Sequence, residues 1–217
     1  MVDKIRGAVD EYPRLFVFSV DNMRNTHFKT IREEWASHSK FFMGKNRVMA
    51  LALGRTEAEE YNDNLNRVSK LLRNQRGLLF TSQNEDKVLE FFEKHEENDF
   101  LRTGGIAEDT VILDQGPLTQ FSHAIEPQLR ALGMPTELKK GVVTLMQEYT
   151  VCKEGDRLTS EQARILKLLG HQQAKFKLNM IALWSRQEGE FKMLREATEM
   201  DEDKDDEEED DENDQSE

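Results

Sequence analysis

A single cysteine, Cys152, stands in the whole chain, so no intramolecular disulfide can staple the fold. That scarcity fits a reducing compartment, and a lone thiol of this kind ordinarily serves as a small core hydrophobe. No apolar run approaches the ~20 residues that a membrane-spanning helix needs. The opening stretch MVDKIRGAVDEYPR has no apolar signal core. These absences predict an intracellular, soluble protein with no membrane partner. Catalytic groupings are missing as well. His27, His38, His95, His123 and His171 are scattered without metal-ligand spacing, and no nucleophile stands beside a recognisable base. Glu59-Glu60 and Glu93/Glu96/Glu97 read as solvated helix faces. The residues therefore predict no metal, no cofactor and no enzyme.

Net charge is nearly missing from the body of the chain. The total of −13 comes almost entirely from residues 201–217, which hold 13 Asp/Glu and one Lys. The first 200 positions hold 30 acids against 29 Lys/Arg, so the average acidity does not argue against a nucleic-acid partner. The terminal tract contains no apolar residue and is expected to be disordered. It is either a solubilising end, or an electrostatic screen that keeps a basic surface from wrong nucleic acid or meets basic proteins.

What is present is an alternation of apolar patterns. Ile5, Val9 and Tyr12 predict a short opening helix that stops near Pro13. Leu15–Val20 is a continuous β-prone run of the kind covered on both faces. Asn25 or Thr26 caps a helix facing inward with Phe28, Ile31 and Trp35; Lys40–Met43 forms the next strand. Phe41 and Phe42 are expected on opposite faces of it. Ala58, Tyr61, Leu65, Val68 and Leu72 predict a longer helix, with Arg67, Lys70 and Arg73 off its stripe. Gly77–Thr81 reads as a third strand and 85–97 as a helix. Strands alternating with helices predict a mixed α/β fold.

After Arg102 the rhythm changes. Gly104-Gly105 is a flexible joint, Thr110–Leu113 a short strand, and Ile125, Leu129 and Leu132 a small helix. Gly141–Leu145 and Tyr149–Cys152 read as two brief strands around a turn. Thr159 and Gln162 are spaced as a capping box for a helix that ends at Gly170, and Phe176–Trp184 supplies a last strand. Trp35 and Trp184, each within an apolar pattern, read as core. The division expected is a discontinuous α/β domain, 1–103 plus 158–193, an inserted smaller α+β domain at 104–157, and the acidic tail at 194–217.

One stretch, Lys40–Gly54, carries a candidate site. Asn46 is placed as an N-cap, Val48–Leu53 as a short apolar helix and Gly54 as its C-terminal cap. Lys45 and Arg47 then fall on a strand-to-helix turn beside free amides and a positive dipole end, a geometry that attracts phosphate. Gly44 leaves room for a bulky anion. A nucleotide P-loop is excluded: Ser39 stands where its first glycine belongs, and Asn46 where its magnesium-binding hydroxyl belongs. A phosphate on a nucleic-acid backbone needs only donors and charge. On periodicity alone the same residues fit an ordinary strand–turn–helix with two solvated cations better.

The run LFVFSVDNMRNTHFKTIREEW with SKFFMGKNRVMALALG resembles the rRNA-binding domain of the ribosomal stalk-base protein family of the large subunit. EYNDNLNRVSKLLR, GLLFT, AIEPQLRALGMPTELKKGVVTL and YTVCKEGDRLTSEQARILKLLG resemble that family's assembly-factor branch. Together these blocks span roughly residues 3–193. The resemblance implies an α/β rRNA-binding domain with an inserted second domain. It implies a non-catalytic placeholder, a monomer bound to the rRNA of the GTPase-associated centre among pre-60S particle proteins, shuttling between nucleolus, nucleus and cytoplasm. Exchange for the mature stalk-base protein would be helped by a release factor of the dual-specificity-type phosphatase family. On this resemblance the RNA contact falls on Gly44, Lys45, Asn46 and Arg47, with Arg24 and Asn25 on the same surface and Arg67 and Lys70 at its edge.

Two departures stand out. Family members start with a Lys-rich arm before the first helix, whereas this sequence starts at the helix. Nothing after Phe191 has the pattern of the long stalk-binding helices, and the tail has no hydrophobic anchor. Such a chain would fill the rRNA site without building a stalk. The alternative is the structural stalk-base protein itself, which stable capture of acidic stalk dimers would reveal.

Overall fold

Leu15, Phe16, Val17 and Phe18 are all fully buried, so the strand they form, β1 (Arg14–Asp21), has protein on both of its faces. The computed structural model describes residues 1–187 and 189–195, and the acidic tract from 201 lies outside them. The first elements are α1 (Val2–Glu11), β1, α2 (Asn25–Glu34), β2 (Ser39–Phe42), α3 (Asn46–Leu53) and α4 (Leu65–Ser69). Then follow β3 (Arg76–Thr81), α5 (Glu85–Lys94), β4 (Glu96–Asp99), β5 (Val111–Leu113) and β6 (Gly116–Pro117). A 3-10 turn at His123–Ile125 leads into α6 (Glu126–Ala131). The remainder is β7 (Thr136–Lys139), β8 (Val142–Leu145), β9 (Tyr149–Cys152), α7 (Ser160–Leu169), β10 (Ala174–Ser185) and β11 (Glu190–Met193). The fold is mixed α+β, and it divides into two compact units.

The first unit comprises Met1–Val20, Lys29–Lys94 and the chain from Leu178. Its strands run in the order β11-β10-β1-β3-β2, with β1–β3, β2–β3 and β10–β11 antiparallel. Side-chain alternation splits this unit's core. Leu15, Val17, Phe42, Leu78 and Phe80 pack with Ile5, Met49, Leu53, Val68 and Trp184, which brings α1, α3 and α4 onto that face. The opposite face is aromatic: Phe41 meets Phe18 edge-on at 5.9 Å, and Trp35 lies 4.9 Å from both Phe91 and Phe92. Phe41 and Phe42 point to opposite faces, as the strand period requires.

The second unit comprises Asp21–Phe28 and His95–Lys177. β4 pairs antiparallel with the first four residues of β10, β5 with β9, and β8 lies between β6 and β7. Val143 and Val151 pack with Leu118, Leu129, Ile165 and Leu166. Cys152 joins that core at 1 % exposure. Burial pushes its thiol pKa up, so it packs as a hydrophobe.

Several local expectations differ from what is found. The helix expected across 58–72 is only α4, because Asn64 sits in the left-handed region (φ 63°) and the Asn62 side chain accepts from Asp63 N, so the Asn-Asp-Asn run ends any helix there. The strand β4 replaces the end of the helix expected over 85–97. β8 and β9 do not form a hairpin with each other; each has its own partners. The return to the first unit falls at 178 rather than 158, since α7 buries Ala163, Ile165 and Leu166 in the second unit's core. The capping box at Thr159 is present, with Gln162 N donating to its hydroxyl and Gly170 closing the helix in the left-handed conformation.

Candidate nucleic-acid interface

α3 is apolar on the face that buries Met49, Ala52 and Leu53, and its two ends carry cations. Its cap is Lys45 rather than Asn46: Lys45 is extended (φ −63°, ψ 119°), its carbonyl accepts from Val48 N at 2.9 Å, and no side chain caps the helix. The amide of Asn46 is used elsewhere, Nδ2 donating to Asn74 O at 2.9 Å. That bond ties the start of α3 to the approach to β3. Gly44 is exposed and not left-handed; an added Cβ would meet the Met1 side chain at 2.8 Å, the movable end of a flexible residue. Its value is space, not conformation.

The opposite end of α3 is a sharper turn. Gly54 (φ 96°) turns the chain back, and Tyr61 N returns to Leu53 O at 2.9 Å. This reversal places Arg55 beside the helix start, with its Nη2 donating to Arg47 O at 3.5 Å. α4 packs against α3, the Ser69 hydroxyl reaching Ala50 O at 3.4 Å. The outcome is a recess of about 360 Å³ lined by Asn46, Arg47, Ala50, Arg55, Ser69, Lys70 and Leu72. No carboxylate among the described residues lines it. Lys45, Arg47 and Lys70 are exposed and make no ion pair among the described residues. Three cations around a small polar floor have the charge and donors to hold a multiply bonded anion such as phosphate.

The structure therefore gathers Asn46, Arg47 and Lys70 into one recess flanked by Gly44 and Lys45. Arg67 is not among them: its guanidinium lies 4.4 Å over the Phe191 ring. Arg24 and Asn25 belong to the second unit. Arg55 was not expected from the sequence. The available signal is a cation directly after the glycine that ends a short helix, where chain reversal returns it towards the helix start.

Arg24 has a different setting. Its Nε pairs with Asp99 Oδ2 at 2.7 Å, and its Nη2 donates to Phe100 O. His27 Nε2 approaches the same oxygen at 3.3 Å, while Phe100 N donates to Asp99 Oδ1 at 2.7 Å. Burial opposes the carboxylate charge, but the Phe100 amide, Arg24 and His27 together outweigh it and hold Asp99 below its ordinary pKa. A lowered folded value means the cluster's stabilisation is complete above the unfolded carboxylate range, about pH 4, and is lost as pH falls through the folded value. Asp99→Asn is accordingly expected to flatten the acid limb of stability against pH, measured by urea unfolding followed by circular dichroism. An unchanged limb would show that the cluster contributes nothing.

Among the described residues no group of three or more His, Cys, Asp or Glu is placed to hold a metal ion, and no helix is long and apolar enough to cross a membrane. Comparison with known proteins matches residues 1–97 to the ribosomal protein L10 family, and residues 102–170 to the insertion domain found in the 60S ribosomal protein of that family. The ribosome assembly factor mrt4 of Dictyostelium discoideum is 39 % identical over 199 residues, covering 92 % of this chain and 88 % of that protein. The mrt4 protein of Schizosaccharomyces pombe is 40 % identical over 210 residues, covering 91 % of this chain and 87 % of its own. The large ribosomal subunit protein uL10 of Thermococcus onnurineus is 25 % identical over 183 residues, covering 84 % of this chain and 54 % of that protein.

Proposed function

This chain belongs to the family of the mrt4 ribosome assembly factors, within the ribosomal protein L10 proteins, and from that membership we propose that it is itself a non-catalytic ribosome assembly factor that binds large-subunit rRNA. The observation that carries the RNA reading is the recess where Arg47, Arg55 and Lys70 converge without a carboxylate. In this reading Lys45 is a point-charge donor to phosphate, and Arg47 a forked donor that bridges phosphate and base edge. Asn46, held by Asn74 O, keeps the turn in place. The RNA is the GTPase-associated centre of the pre-ribosomal large subunit. The chain holds that site until the mature stalk-base protein replaces it, with release helped by a factor of the dual-specificity-type phosphatase family. Likeness to uL10 over 84 % of this chain supports competition for one binding site. Its place of work is the nucleolus and nucleus, and the cytoplasm as the particle matures.

The test is binding to an isolated GTPase-centre rRNA fragment at several salt concentrations, comparing the unmodified chain with Lys45→Glu/Arg47→Glu. Each phosphate contact releases counterions, so losing two should flatten the slope of log affinity on log salt by about 1.5. Affinity at low salt should fall most. A folded double variant that binds as tightly as the parent removes this turn from the interface.

A further inference from the structure

The second unit is slightly acidic, with 13 carboxylates against 11 Lys/Arg over its two segments, yet its cations are not evenly spread. Four of them line one recess of about 840 Å³: Arg24, Arg102, Arg164 and Lys167. Local structure explains the gathering. Arg164 and Lys167 are three apart on α7 and share its outer side, because Ala163, Ile165 and Leu166 turn the other side into the core. Arg102 lies on the segment that leaves β4. The one carboxylate in the lining, Asp99, is already spent on Arg24, His27 and the Phe100 amide. Arg102, Arg164 and Lys167 are exposed and make no ion pair among the described residues. Gln128, with its amide oxygen turned to satisfy both groups, accepts from Nε and Nη2 of Arg164 at 3.3 Å and orients the guanidinium.

We propose that this recess is a separate RNA-binding site of the second unit, taking a short single-stranded segment through its phosphates. The inference rests on the reading that the chain acts on RNA. Its size lies in the range of about 300–1,000 Å³ typical of small-ligand sites, room for a nucleotide rather than one bare phosphate. Arg102 and Arg164 supply forked donors to non-bridging phosphate oxygens, and Lys167 a point charge. The Thr103 hydroxyl offers a hydrogen bond to phosphate or ribose. Phe100 and Leu101 add an apolar wall on which a base face can lie. That wall favours RNA over an acidic peptide, whose carboxylates have no use for it. Arg24, tethered by Asp99, is one fixed cation of the recess, and Arg164, oriented by Gln128, is a second.

The experiment uses the full chain and a short single-stranded oligouridylate carrying thiouridine, cross-linked by light and mapped by peptide mass. Cross-links are expected in residues 99–103 and 160–167. Arg102→Glu/Arg164→Glu/Lys167→Glu should abolish them and flatten the salt slope by about two, at ~0.7 per lost contact on a single strand. The neutral variant Arg102→Gln/Lys167→Gln should give a partial loss with the folded circular-dichroism spectrum intact. Cross-links confined to residues 44–55 and 67–72 overturn this inference and leave the proposed function standing. Cross-links at 99–103 and 160–167 support it, and none there overturns it; the proposed function is judged separately by binding of the GTPase-centre fragment. If a synthetic peptide of residues 201–217 occupies the recess and the oligonucleotide does not, the site belongs to an acidic peptide and the RNA assignment falls.

Discussion

Gly54→Ala is expected to destabilise the first unit by about 2–5 kcal/mol, the sum of left-handed strain and overpacking against atoms that cannot yield. The backbone there has φ 96°, and an added Cβ would fall 2.3 Å from Glu60 Cα and 2.4 Å from Glu59 O. Both neighbours are main chain, so relief requires moving the 55–61 loop, and with it Arg55. If Arg55 contacts RNA as proposed, the variant should lose RNA affinity together with stability. Both tryptophans, Trp35 and Trp184, lie in the first unit, so fluorescence during urea unfolding reports on that unit alone. Gly7→Ala is the matched control. Gly7 is exposed within α1 with nothing within 4 Å of an added Cβ, and alanine there should stabilise by about 1 kcal/mol. A Gly54→Ala midpoint indistinguishable from the parent would mean that the turn is not built as described.

Trp184→Ala is expected to cost about 3–5 kcal/mol, the range for emptying a large aromatic site in a packed core. Trp184 is fully buried among the residues that join α1, α3 and α4 to the sheet, and its Nε1 donates to Asp63 O at 2.8 Å. Asp63 stands two residues before α4, so this bond ties the strand β10 to the helix whose end presents Lys70. Trp184→Phe separates the two contributions: it keeps most of the apolar volume and loses the hydrogen bond, at a cost of about 1 kcal/mol. Trp35 remains as the fluorescent probe in both variants. Equal losses for alanine and phenylalanine would assign the whole effect to the hydrogen bond and contradict the packing argument.

The buried elements were readable because their signal is local and repeated. The run Leu15–Val20 needs cover on both faces, and the structure provides it with helices on one side and an aromatic layer on the other. Thr159 and Gln162 state their capping box within four residues. Such patterns survive because hydrophobic period and capping chemistry act on neighbours in sequence. Asn46 shows the limit. Its residue type suits an N-cap, but Lys45 takes the cap position, and the Asn46 amide nitrogen donates instead to Asn74 O, 28 residues away.

The candidate site divides along the same line. Local pattern and composition already put a basic pair, Lys45 and Arg47, at a strand-to-helix turn, leave the body of the chain nearly uncharged and confine the excess acid to residues 201–217. Which cations share a surface is set by packing: Arg55 and Lys70 join Arg47, Arg67 turns to Phe191, and Arg24 is held by Asp99. The reason is physical. Helix and strand formation depend on patterns a few residues long, whereas the meeting of side chains from α3, its return loop and α4 depends on how those elements pack, which no local pattern encodes.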